Sequence, residues 1–147
     1  MNARSIRSAD EMVSLGAEFA SAAKQGDVFG LIGTLGTGKT HWSKGFVGAI
    51  DSGAQVTSPT FSIVNEYRGG EIPMFHFDIY RLESADELIA LGWDEYLDEK
   101  GIVICEWADL FPELFPENTI WLEILHTEEG TRLVSRVKSP GLASEPH

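Results

Sequence analysis

Eight residues, Gly33-Thr34-Leu35-Gly36-Thr37-Gly38-Lys39-Thr40, fit the pattern Gly-x4-Gly-Lys-Ser/Thr. In that pattern successive backbone N–H groups wrap phosphates, the lysine reaches the β- and γ-phosphates, and the last hydroxyl meets Mg²⁺. Gly36 and Gly38 let the backbone approach an anion, the N-terminus of the following helix adds partial positive charge, and Lys39 supplies a full one. Magnesium prefers oxygen ligands and needs a carboxylate beside Thr40. Two acids end strand-like runs: Asp78 closes "MFHFD" and Glu106 closes "GIVICE". Ligands of open α/β sheets bind at the carboxyl ends of strands, so both acids could face the phosphates, and each also reads as a solvated loop acid. Glu106, preceded by four apolar residues, has the stronger pattern. Thr60 in "SPTFSI" reads equally as a turn residue or as a loop threonine that senses a γ-phosphate. Unaided, Trp107 reads as a core residue, and His76, inside an apolar strand, as a hydrogen-bonded core histidine rather than a base.

The elements that must position these groups follow from periodicity. "DVFGLIG" (27–33) predicts a buried strand feeding the glycine loop, and "HWSKGFVGAI" continues from Thr40 as a helix. Ser8 with Glu11 forms a capping box that opens a helix over 8–25, stopped by Gly26; Ser84 with Glu87 opens a second over 82–92, ending at Gly92. "VTSPTF" predicts an extended loop, and the runs on either side of Arg68-Gly69-Gly70 a hairpin. "GIVICEW" predicts a buried strand. Two alternating runs around Glu128-Glu129-Gly130 predict a last hairpin. Strand, glycine-rich loop and helix in that order, with hairpins elsewhere, predict an α/β protein: a three-layer, P-loop NTPase-like mixed sheet with flanking helices.

The chain has 147 residues, 43% of them hydrophobic, enough for one core. A single domain is expected over 1–138 and a disordered tail over 139–147. No signal peptide or membrane-length apolar run is present, so a cytoplasmic protein without membrane association is expected. With 23 acidic and 11 basic residues the formal net charge is −12. Such a surface repels phosphate backbones, which argues against DNA as a partner and allows RNA only through another protein. Cys105, the one cysteine, reads as a buried small hydrophobe.

Taken together, "GTLGTGKT", "TSPTFSIVNEY", "FHFDIYRLESADELIALGWDEYL" and "ICEWAD" resemble, in order and spacing, the TsaE (YjeE) family of bacterial P-loop ATPases needed for threonylcarbamoyladenosine (t6A) at position 37 of tRNA. The resemblance spans roughly residues 8 to 137. It implies ATP/ADP and Mg²⁺ as cofactors, slow ATP hydrolysis when the protein is alone, and action on a complex of the TsaB and TsaD proteins, with tRNA met only indirectly. It assigns catalysis to Lys39, Asp78 and Glu106, Asp78 taking the Walker B aspartate, and metal contact to Thr40, Asp78 and Glu106. Thr34, Leu35, Gly36, Thr37, Gly38, Lys39, Thr40, Thr60 and Trp107 would bind nucleotide, with Ala9, Asp109 and Arg132 near adenine; Trp107 thereby gains a functional role. Thr34, Thr37 and His41 depart from the family's usual aspartate, alanine and threonine or serine. Two other readings stay open: a small-molecule P-loop kinase, although no arginine lies between Glu83 and Glu117, and a non-hydrolysing nucleotide-dependent adaptor. The guanine-reading Asn-Lys-x-Asp motif is absent, which disfavours a GTPase.

Overall fold

The computed structural model describes residues 3–34 and 36–140. Leu35 of the glycine loop and residues 141–147 of the expected tail lie outside the described residues.

Seven strands form one mixed sheet, β1 (Arg4–Ile6), β2 (Val28–Ile32), β3 (Val64–Tyr67), β4 (Met74–Asp78), β5 (Ile102–Glu106), β6 (Ile120–His126) and β7 (Arg132–Val137), in the order β1-β7-β6-β2-β5-β4-β3. The centre, β6-β2-β5-β4, is parallel, while β3, β7 and β1 are added antiparallel at the margins. Parallel strands need cover on both faces. Two-residue alternation supplies it: Phe29, Leu31, Met74, Ile102, Ile104, Leu122 and Ile124 face one apolar cluster with α1 (Ala9–Ala22) and α2 (Lys39–Ile50). Val28, Phe75, Phe77, Val103, Cys105 and Trp121 face the other, with α3 (Ala85–Ala90) and α4 (Trp93–Asp98). Cys105 is buried there, as the sequence predicts, and burial holds its thiol well above the ordinary value.

Both capping boxes are present: Ser8 Oγ accepts from the Glu11 N–H at 3.1 Å and Ser84 Oγ from the Glu87 N–H at 3.4 Å. The first helix stops at Ala22, short of the expected 25, and Gly26 instead donates its N–H to the Gly101 carbonyl at 2.8 Å. The expected 82–92 helix is only α3; α4 follows Gly92 directly and buries Trp93, whose Nε1–H donates to the Leu114 carbonyl at 2.9 Å. Strand β1 was not apparent in the sequence.

Helices α1 and α2 cross at Gly16 and Gly45. A Cβ on Gly45 would stand 1.8 Å from the Val13 carbonyl oxygen, and one on Gly16 2.0 Å from that of Trp42. Beside that crossing the Met12 side chain of α1 lies against Gly38, the residue before α2.

Candidate functional site

The loop after β2 reaches α2 through Gly38, whose φ of 106° is open to glycine and strained for other residues. Lys39, the first residue of α2, is buried, and its ammonium folds back onto the loop. Nζ donates to the carbonyls of Gly33 (2.6 Å) and Thr34 (2.8 Å) and lies 3.4 Å from Thr37 Oγ1. Thr37 Oγ1 itself donates to the Thr34 carbonyl at 3.0 Å. The two threonines that depart from the family's loop pattern thus brace each other across the loop. Burial pushes the Lys39 amine below its ordinary value, opposed by the charges of Glu106, Asp78 and Asp109.

Facing this loop are the ends of β4 and β5, where parallel register sets Asp78 beside Glu106. Both are buried. Thr40 Oγ1 donates toward Glu106 Oε1 (3.2 Å) and Oε2 (3.4 Å). Glu106 Oε2 lies 2.5 Å from Nε2 of His76. Asp78 Oδ2 accepts from Thr60 Oγ1 at 3.2 Å and Oδ1 from the Tyr80 N–H at 3.0 Å. Burial raises the Asp78 carboxyl above its ordinary value; the Tyr80 amide opposes the rise and the Glu106 charge adds to it.

Immediately after Glu106 the chain turns sharply. Trp107 has φ 63° and ψ 30°, an uncommon conformation for a bulky residue, and it brings the indole back across the site. The ring centroid lies 4.2 Å from Lys39 Nζ, and the ring leans on Tyr80 at 4.6 Å. The core-only reading of Trp107 is therefore corrected: the residue is half-buried and borders the site, because a left-handed turn ends the strand one residue before it.

These groups share one cavity of about 510 Å³, within the range of small-ligand sites. Of the residues expected from sequence, Ala9, Gly36, Thr37, Gly38, Lys39, Thr40, Thr60, Asp78, Glu106, Trp107 and Arg132 border it. Thr34 contributes its carbonyl to Lys39 from outside the lining. Asp109 sits exposed in the turn Ala108–Leu110, outside the cavity lining, and its charge acts on Lys39. Arg132 donates from Nη2 to the Gly36 carbonyl at 3.1 Å, tying β7 to the loop. Sequence reasoning missed Arg7, Ser8 and Met12 on the rim and the place of His76 behind Glu106. For His76 a signal existed, since it alternates with Asp78 and so shares its face of the sheet.

Thr40, Asp78 and Glu106 form an oxygen-only donor set of the kind Mg²⁺ takes. Among the described residues no group of three or more His, Cys, Asp or Glu side chains could hold a metal alone. A cation here would therefore need further oxygens from a ligand or water. Among the described residues no helix is long and apolar enough to cross a membrane.

A parallel core whose strand–glycine loop–helix unit ends in Gly-Lys-Thr, with acids closing two neighbouring strands, defines a P-loop NTPase-like protein. Residues 6–134 match the family described as Threonylcarbamoyl adenosine biosynthesis protein TsaE. The chain belongs to that family. It is 40% identical over 116 residues to the Bacillus subtilis "tRNA threonylcarbamoyladenosine biosynthesis protein TsaE", covering 79% of this chain and 72% of the relative. A relative of the same name from a Nostoc species is 32% identical over 126 residues, with 84% and 77% covered. The crystal structure of Bacillus subtilis YdiB superposes with a TM-score of 0.76 at 30% identity, covering 92% of this chain and 83% of that one.

Proposed function

We propose that this chain binds ATP with Mg²⁺ and hydrolyses it as a component of tRNA t6A biosynthesis, acting while docked on a TsaB–TsaD type complex. The observation that carries this reading is the convergence of Lys39, Thr40, Asp78 and Glu106, drawn from α2, β4 and β5, on one cavity in a TsaE-family chain. Lys39 and the loop amides would neutralise charge on the transferring phosphoryl group, as phosphoryl transfer requires. Lys39 must first exchange the Gly33 and Thr34 carbonyls for phosphate oxygens. Thr40 with Asp78 or Glu106 would hold Mg²⁺, which supplies charge neutralisation between the phosphates when bound. The carboxylate not so engaged orients the attacking water, and Thr60, hydrogen-bonded to Asp78, links the 51–63 loop to that event. Arg132 and the start of α1 close the far end, where the base would lie.

The formal charge of −12 favours a protein partner over direct contact with tRNA. The test is phosphate release by the full chain with and without TsaB and TsaD. Slow turnover alone and acceleration by the partners are expected; rapid, partner-independent turnover refutes the docked mechanism. If Glu106→Ala abolishes ATP turnover and leaves t6A formation unchanged, a non-hydrolysing adaptor becomes the better reading.

A further inference from the structure

Behind Glu106 lies a side chain that the reading above does not use. His76 is wholly buried on the face of β4 that otherwise carries Met74 and, across on β5, Ile102 and Ile104. Parallel register sets His76 beside Ile104 and Asp78 beside Glu106. The imidazole therefore reaches Glu106 diagonally. Its Nδ1 is buried without a hydrogen-bond partner, and an unpartnered buried polar atom costs stability that an apolar side chain here would avoid. The bare Nδ1 also fixes the tautomer: a proton there would have no acceptor, whereas a proton on Nε2 points at Oε2 of Glu106 at 2.5 Å.

We propose that His76 is a positioning residue for Glu106, its Nε2–H holding Oε2 so that Oε1 stays beside Thr40 at the cavity. A glutamate has three side-chain torsions to restrain, and Thr40 alone contacts both oxygens with near-equal, long distances. Only the histidine distinguishes them. It acts as outer-shell partners of metal-site ligands do, by orienting a ligand from a buried and rigid element. Asp78, on the same strand two residues on, takes its hydrogen bonds from Thr60 and Tyr80 instead, and the imidazole acts on it only through charge.

The inference rests on the ATPase reading only for its kinetic arm. Imidazole ¹⁵N signals of the full-length wild type are expected to show a proton on Nε2 and none on Nδ1 of His76, and Glu106→Gln is expected to shift them. His76→Leu is expected to lower kcat for partner-stimulated phosphate release about ten- to a hundred-fold, leave KM for ATP unchanged, and weaken Mn²⁺ binding measured by electron paramagnetic resonance with ADP. His76→Gln, whose amide nitrogen reaches the position of Nε2, is expected to recover most of both losses. Nitrogen signals that ignore Glu106→Gln, a His76→Leu protein with wild-type kcat and Mn²⁺ affinity, or a His76→Gln protein as impaired as His76→Leu each overturn the proposal. Absence of phosphate release by the wild type counts instead against ATP hydrolysis, and the nitrogen signals still decide the pairing.

Discussion

Replacing Gly45 by alanine puts a methyl group into the crossing of α1 and α2. The new Cβ would lie 1.8 Å from the Val13 oxygen, 2.6 Å from its carbonyl carbon and 2.9 Å from its Cα, all backbone atoms that cannot swing aside. Ordinary contact begins at 3.4 Å, so the helices must part by about 1.6 Å at that point. Met12, Leu15 and Phe19 then lift from Trp42 and Phe46, which they cover in the same cluster. Gaps of even about 0.5–1 Å forfeit a quarter to a half of a dispersion contact. The cost belongs at the top of the overpacking range, about 3 kcal/mol. For a chain of this size that lowers Tm by roughly 10 °C. The assay is thermal unfolding followed by far-ultraviolet circular dichroism, with Gly48→Ala as the control. A Cβ on Gly48, three residues along the same helix, meets nothing within 4 Å. It should raise stability by about 0.5–1 kcal/mol, because alanine replaces glycine in a helix interior. Nucleotide affinity should fall in Gly45→Ala alone, since α1 carries Ser8, Ala9 and Met12 into the cavity wall. A Gly45→Ala protein melting within about 2 °C of wild type, or both variants shifting in the same direction, refutes the reasoning.

Two further outcomes concern the site. Burial raises the Asp78 carboxyl above its ordinary 3.8, so its contribution to stability is fully present below the unfolded value and is lost as pH rises through the folded one. Asp78→Asn keeps an acceptor for the Tyr80 N–H and abolishes ionisation. It should melt above wild type at neutral pH, with the two curves converging as pH falls into the carboxylate range; a variant that melts lower at neutral pH refutes this. Of the four tryptophans, Trp107 is the one that borders the cavity and faces Lys39. ADP should change the protein's indole emission, and Trp107→Phe should abolish the change. Persistence of the change in that variant would place its source at another tryptophan and refute this.

Local chemistry was legible in the sequence where one segment decides it. The Gly-Lys-Thr loop, both Ser/Glu capping boxes and the alternation in β6 and β7 are patterns of neighbouring residues, and each appears where expected. Strand β1 was not legible, because three residues with only Ile6 buried carry no period. Helix α4 was hidden by Gly92, which reads as a stop and here caps one helix while starting the next. The site was legible in its acids and not in their support. Thr60 on Asp78, His76 on Glu106 and Arg132 on Gly36 span 18, 30 and 96 residues. Such contacts depend on strand order and register, which no local window contains. Trp107 was misjudged for a related reason: burial pattern predicts inward residues along a strand but not the left-handed turn that ends it.

Strands β1 and β7 pair antiparallel, with Ile6 opposite Arg132. Arg7, Ser8 and Ala9 follow directly from one strand, and Arg132 stands on the other, so a three-residue ladder joins two rims of the cavity. A ribosome making this chain releases the glycine loop, α2 and both acids before β7 exists. Contacts between such distant segments close late. Until then the growing protein would carry Lys39, Thr40, Asp78 and Glu106 without the wall that closes their cavity, and β1 would have no strand to join. The wall of the cavity that carries Arg7, Ser8, Ala9 and Arg132 is therefore the last part of the site to close.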